Sequence, residues 1–487
     1  MKIYSIFLLA VISLLMASCV AKNEEATIIV KAQNLDGREL SYHRSYNGVY
    51  LSTFTPVSLD ADSTFTITIP TNGVESFMLL ATDPNKKLPS IHKRIYVLPG
   101  TTEITINPNA DKNIAVMPPT GNELDSEAAE SADSFYDLWI APYIGRKDAL
   151  GLWADTIPTD VTAKLKAYAD SINEAYIDAS PLIRKSLECD SRLGILMVYN
   201  GRTVIAKRKG WSTDGWDQEL RRLRNEVDMS DPINARYPYF AELVTDFYFK
   251  DVYPDGNFPN NITSDSLLQL KTDYFLNTLT DKAAEAAIGT MIYNDGANNV
   301  FSPSIPDLTE RFKTVFPQSG LIPLLDEKAE INKAFNNPEP SPDIVFLDNS
   351  EIKTLADLLA PYKGTPVLID VWATWCRPCC EGFSHVGPIQ EYAAENGVQL
   401  LYLSIDEQPN IEEKWKRMAQ YYKLKGHHIL INPDYKMEVF STFGNNGYLG
   451  IPRFAIVDRE GNINVCPQAL SEIADFTPLR ALLDQTK

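Results

Sequence analysis

The chain has 487 residues, 44% of them apolar and 22% charged, which excludes a mostly disordered, collagen-like or multi-span membrane protein. At roughly 150 residues per domain, this length calls for about three domains. Lys and Arg number 45 against 64 Asp and Glu, and the net charge of −19 repels phosphate backbones, so no nucleic-acid partner is expected. Six cysteines are too few for a disulfide scaffold of this size, so their placement matters more than their number.

Met1-Lys2 is a short positive end, and Ile3 to Met16 is an almost unbroken apolar run. A run of about fourteen residues is short for a membrane span and fits a secretory leader. Leu15-Met16-Ala17-Ser18-Cys19 follows, and small residues directly before a cysteine resemble a bacterial lipobox. The resemblance implies a signal peptide over 1–18 and Cys19 as the acylated N-terminus. The alternative is an ordinary leader cut nearby. Residues 19–25 read as a polar tether. Several acyl chains would hold the mature protein stably on a membrane, outside the cytoplasm, facing the periplasm or the cell surface.

Over 26–118 the pattern has period two. Thr27–Ala32, Ser63–Ile69 and Glu103–Asn107 are strand-like, with turn signals at Asp60-Ala61-Asp62, Thr71-Asn72-Gly73 and Pro99-Gly100. Short strands with regular turns predict a small antiparallel β-sandwich. Over 119–337 the period becomes helical. Leu165, Tyr168, Ile172 and Tyr176 put one apolar face on Val161–Ala179, and Leu220–Val227, Tyr239–Phe249, Ser266–Leu279 and Ala283–Tyr293 continue in the same way. Ser264 or Asp265 is expected to cap the fourth of these. Trp211 and Trp216 read as core, His43 and His92 as surface or satisfied structural histidines, and Cys189 as a buried free thiol. Neither region offers a nucleophile–base pair. Asn336 to Pro342 is punctuated by prolines, and residues 338–342 are expected to be a linker.

From 343 to 487 strands and helices alternate, which predicts an α/β domain with a mixed sheet. Pro366 to Trp372 is a buried-strand run broken by one acid, Asp370, and it leads into Ala373-Thr374-Trp375-Cys376-Arg377-Pro378-Cys379. A helix is expected from Pro378 to about Glu395. Two cysteines three apart at a helix start can form and break a disulfide. The unpaired N–H groups and positive dipole end of the helix favour thiolate over thiol at Cys376, and Arg377 adds positive charge. Pro378 sets the first helical turn. Cys379, one turn in and more covered, is suited to resolving a mixed disulfide. A Cys-x-x-Cys pair also fits half a zinc site, but no second paired spacing accompanies it, so no metal is expected.

The segment Trp372-Ala373-Thr374-Trp375-Cys376 after a buried strand closely resembles the active-site run of thioredoxin-fold oxidoreductases, in particular their membrane-attached TlpA-like and ResA-like branch. The resemblance implies a thioredoxin-like domain over 343–487 and no cofactor besides the Cys376–Cys379 disulfide. The β region weakly resembles the small domain that often precedes it. Asp370, six residues before Cys376, stands where the family places a buried carboxylate that aids proton transfer at the resolving cysteine. Burial should raise its pKa, while an acid paired within the sheet is the alternative. Ile451-Pro452 matches the family's cis-proline loop, whose backbone pairs with the substrate chain. Trp375 would offer substrate an apolar surface, and Trp372 would pack inside. The branch usually carries a glutamate where this chain has Gly382, and a proline where it has Ser384. Glu381 lies one residue early, and Cys380 and Cys466 read as structural thiols.

Together these readings predict a membrane-anchored thiol–disulfide oxidoreductase of the cell envelope. It would reduce a disulfide-containing protein and be recharged by a membrane electron donor with thiols, in the manner of cytochrome c maturation. The alternative is a non-catalytic binding or redox-sensing lipoprotein.

Overall fold

The computed structural model describes residues 24–71, 73–84, 88–131, 138, 158–210, 213, 215–254, 257–259, 262–444, 448–467 and 476–486. The leader and Cys19 lie outside these residues, as does Trp211. Contacts divide the chain into two compact units. One comprises 1–292 and 308–325, the other 293–307 and 326–487.

The first unit opens with eight strands: β1 (Glu24–Ala32), β2 (Glu39–Tyr46), β3 (Val49–Pro56), β4 (Thr64–Thr71), β5 (Glu75–Thr82), β6 (Ile91–Val97), β7 (Gly100–Ile106) and β8 (Ile114–Met117). They form two four-stranded sheets, ordered β4-β1-β7-β8 and β3-β2-β5-β6. The period-two pattern decides which side chains enter the core. Ala26, Ile28, Val30 and Ala32 of β1 are buried, as are Ile104 and Ile106 of β7, in one cluster with Leu40, Phe77, Leu79 and Ile95 of the other sheet. Tyr42 stacks on Phe77 at 5.4 Å within it. One pairing departs from the all-antiparallel expectation: β1 and β7 run parallel. Parallel neighbours need a long crossover, and the chain's excursion through β2, β3, β5 and β6 supplies one.

Helices follow at Glu123–Glu130, Pro158–Ala175, Pro181–Lys209, Trp216–Arg224, Phe240–Val252, Ser264–Thr278, Asp281–Ala297, Ile305–Val315 and Ile322–Asn336. The cap of Ser264–Thr278 is Thr263, one residue ahead of the expected pair, and its hydroxyl accepts from the Ser266 N–H at 3.1 Å. Trp216 is core, 5.3 Å from the Tyr199 ring. The strands and the helices up to 292 are not two independent domains. Val74, Tyr96 and Leu98 of the strand region share a cluster with Ala128, Ala129, Ile183 and Leu187. Arg94 of β6 forms a buried ion pair with Asp190, which also accepts from the Tyr96 hydroxyl. Buried charges persist only when paired, so breaking either partner would leave an uncompensated charge inside the unit.

The second unit holds a six-stranded sheet. Its strands are β9 (Ile344–Phe346), β10 (Val367–Trp372), β11 (Gln399–Ser404), β12 (Gly426–Leu430), β13 (Arg453–Val457) and β14 (Ile463–Val465), in the order β14-β13-β10-β11-β12-β9. β10, β11, β12 and β9 are parallel, while β13 and β14 join antiparallel. All six residues of β10 are buried, which explains its unbroken apolar run. The boundary expected at 338–342 is displaced. Phe335 stacks on Phe301 at 4.1 Å, both lie in the core of this unit, and Asn336 donates to the Phe301 carbonyl at 3.1 Å. The prolines mark where a helix stops, not where two cores part. The helix expected from Pro378 to Glu395 is in fact two, Arg377–Phe383 and Gly387–Asn396. Pro388 lacks an N–H, and its ring would clash with the Ser384 carbonyl of a continuous helix, so the chain breaks at Ser384.

Candidate active site

β10 delivers the chain to the C-terminal edge of the parallel strands, where open α/β sheets place their chemistry. Four residues after its end Cys376 is the N-cap of Arg377–Phe383, with extended backbone at φ −83° and ψ 94°. Its N–H donates to the Ala373 carbonyl at 3.0 Å, closing a turn. Its Sγ accepts from the Cys379 N–H at 3.3 Å, one of the helix's unpaired donors. Cys376 and Cys379 are joined in a disulfide with Cα atoms 5.3 Å apart. Both are covered in this oxidised state, at 4% and 2% exposure, so the expected contrast between an open and a sheltered cysteine is small.

The two tryptophans divide as expected. Trp372 is fully buried, with its ring 5.1 Å from Phe383, and Trp375 is 57% exposed. Arg377 differs from expectation. Its Nε donates to Glu381 at 2.8 Å, and both side chains are exposed, so its charge is offset by a carboxylate and screened by water. The same pairing turns Glu381 outward. Pro378 sits in the first helical turn. A side chain at Gly382 would meet open space.

Asp370 lies on β10 in register between Tyr402 of β11 and Phe454 of β13. It makes no ion pair among the described residues, and its Oδ1 has no hydrogen-bond partner there. Burial in this apolar setting pushes its carboxyl up to about 7. The alternative of an acid paired within the sheet is therefore not what the fold holds. The Ile451–Pro452 bond is cis, as the sequence suggested, and Tyr448 of the same loop is 76% exposed.

The remaining thiols among the described residues, Cys189, Cys380 and Cys466, are buried. Desolvation pushes Cys380 up to about 12 and Cys466 up to about 11, and raises Cys189 as well. His428 is fully buried, donates from Nε2 to the Leu424 carbonyl at 2.7 Å, and is lowered to about 4 by desolvation, so it is structural. His43 is buried too. Among the described residues no cluster of three or more His, Cys, Asp or Glu is placed to hold a metal ion.

One group escaped the sequence reading. Asp406 is 2% exposed, and its carboxylate accepts from the Thr374 N–H at 2.7 Å, the Thr374 hydroxyl at 2.8 Å and the Ser404 hydroxyl at 2.7 Å. An acid just beyond a buried strand, at the functional edge of the sheet, was the available signal.

A thioredoxin-like α/β domain carrying a redox dithiol is thus defined by its strand order, its cis-proline loop and its N-capping cysteine. Residues 336–465 match the Redoxin family. The thiol-disulfide oxidoreductase ResA of Bacillus thuringiensis subsp. konkukian is 25% identical over 138 residues, 28% of this chain and 69% of that protein. The thiol:disulfide interchange protein DsbE of Pseudomonas fluorescens biotype C is 28% identical over 153 residues, 31% of this chain and 74% of its own. The crystal structure of a thiol:disulfide interchange protein of the thioredoxin family from Chlorobium tepidum TLS is 25% identical, covers 26% of this chain and 83% of that one, and has a TM-score of 0.21. These similarities all lie in the C-terminal domain, which resembles the ResA and DsbE thiol–disulfide oxidoreductases and carries the Cys376–Cys379 pair that such an activity needs.

Proposed function

We propose that this chain is an envelope thiol–disulfide oxidoreductase, lipid-anchored through Cys19, that reduces disulfides in protein substrates. The observation that carries the redox chemistry is Cys376 at a helix N-cap, with its sulfur on the Cys379 N–H. In the reduced protein that donor and the helix dipole stabilise a thiolate. The Cys376 thiolate attacks one sulfur of a substrate disulfide, forming a mixed disulfide and expelling the other substrate sulfur, which takes a proton. Cys379 then loses its proton to Asp370 and attacks the Cys376 sulfur. The second substrate thiol leaves, and the two electrons of the dithiol have passed to the substrate. A carboxyl near 7 is matched to that proton transfer at neutral pH. Trp375 and the backbone at Ile451 and Pro452 would hold the substrate chain, and a membrane thiol donor would restore the dithiol.

The reducing direction is supported by the resemblance to the ResA and DsbE proteins. The anchor and the location outside the cytoplasm are supported by the leader-like residues up to Cys19. Among the described residues no helix is long and apolar enough to cross a membrane. The two four-stranded sheets, sharing one apolar cluster, read best as a sandwich. The test is insulin reduction driven by dithiothreitol. Wild-type protein should accelerate it and Cys376→Ala should not, whereas equal rates for the two would remove the enzymatic reading.

A further inference from the structure

Only Ala373, Thr374 and Trp375 link β10 to the helix that carries the dithiol, so this loop decides where Cys376 stands. A three-residue loop has no ladder of its own to hold it. Beside the turn closed by the Cys376 N–H on the Ala373 carbonyl, one carboxylate anchors it to the rest of the sheet. Both oxygens of Asp406 are engaged, Oδ2 by the Thr374 N–H and the Ser404 hydroxyl, Oδ1 by the Thr374 hydroxyl. Ser404 pairs with Trp372 across β10 and β11, and the Ile405 N–H donates to the Trp372 carbonyl at 2.9 Å. The ends of two neighbouring parallel strands are therefore tied together through the loop between them. Thr374 and Asp406 are each 2% exposed, so water cannot replace a lost bond at low cost. Lys414, from the helix Glu412–Tyr421, attracts the Asp406 carboxylate and so supplies a counter-charge for a buried anion.

We infer that Asp406 is a positioning residue for the dithiol: its carboxylate fixes Thr374 and so keeps the Cys376 sulfur on the Cys379 N–H at the helix start. The inference rests on the oxidoreductase reading for its functional weight, but not for its geometry. Loss of the clamp lets the loop drift. The sulfur then leaves the N–H and the dipole end, and its thiolate is less favoured. Small misplacements of a nucleophile are costly to rate.

The test uses the reduced full-length protein as wild type, Asp406→Ala, Asp406→Asn and Thr374→Val. Two quantities are read: the pH profile of Cys376 alkylation by iodoacetamide, mapped by peptide mass, and the rate of insulin reduction. Cys380 and Cys466 are too strongly raised to react near neutral pH, so they do not confuse the first. Asp406→Ala should move the Cys376 profile up towards the unperturbed thiol value of about 8.5 and slow insulin reduction by about tenfold or more. Asp406→Asn keeps an acceptor for the Thr374 N–H and an amide for its hydroxyl, and should restore most of both. Thr374→Val should fall between. A folded Asp406→Ala protein with the wild-type profile overturns the inference, and so does an Asp406→Asn protein as impaired as the alanine variant. If Asp406→Ala does not fold, Thr374→Val decides alone, and a wild-type profile there is fatal. A wild-type protein unable to reduce insulin would sink the oxidoreductase reading instead, while the alkylation profiles would still judge the clamp.

Discussion

Asp370→Asn separates the buried carboxyl's charge from its shape. The carboxyl rises from 3.8 to about 7 because β10 buries it without an ionic partner. A group held protonated in the fold gives most stability below its unfolded pKa, and that contribution is lost as the pH rises through its folded value. The window therefore runs from about pH 4 to about pH 7. At about 1.4 kcal/mol for each tenfold change in proton affinity, the charge costs the wild type about 4 kcal/mol by pH 8. Asparagine carries the same outline and never ionises. Its unpartnered amide costs about 1–3 kcal/mol at every pH, which is a constant offset. The slope with pH is thus the quantity to measure. Amide hydrogen exchange of the 367–372 strand, read by mass spectrometry, reports the opening of this core in the full chain. Comparing the two proteins at each pH cancels intrinsic exchange. Wild-type protection relative to the variant should fall by about a thousandfold between about pH 4 and about pH 8. A ratio that stays flat over that range would show that the carboxyl does not titrate where its burial demands.

The same variant should slow insulin reduction by about a hundredfold near pH 7, because Cys379 would lose its proton acceptor, and stopped-flow release of the mixed disulfide would locate the loss in the resolving step. Cys380, raised to about 12 by burial, should stay unmodified when the folded, reduced protein meets iodoacetamide at pH 7, and peptide mapping that found it labelled as fast as Cys376 would contradict its structural role. Arg377→Ala and Glu381→Ala should each change activity less than about threefold, since an exposed pair contributes about 0–1 kcal/mol. The His428 ring should remain neutral on acidification until near pH 4, so that its contribution to stability is full above about 6.5 and is lost progressively as the pH falls to about 4. An NMR titration of its ring protons with a midpoint near 6.5 would refute that.

The dithiol was legible in the sequence because its chemistry is local. A buried strand, a tryptophan-bordered loop, two cysteines and a helix start fall within fourteen residues, 366 to 379. Asp370 was legible as one acid in an apolar run. The Asp406 clamp was not, because its meaning depends on Thr374, which is close only after β10 and β11 pair. The period-two strands were visible, yet the parallel entry of β7 beside β1 is a choice of topology that no local pattern records. β9, three residues long, is too short to carry a period. The proline-rich run marked a real helix end at Asn336 but hid the packing of Phe335 against Phe301, a long-range contact that joins this helix to the C-terminal core.

Substrate reduction depends on one sulfur, that of Cys376, making the first bond to substrate. Oxidised insulin mixed with Cys379→Ala protein, quenched with acid and mapped by peptide mass, tests this directly. A single adduct linking Cys376 to an insulin cysteine is the predicted product. An adduct through Cys380, or none at all from a folded protein, would contradict it.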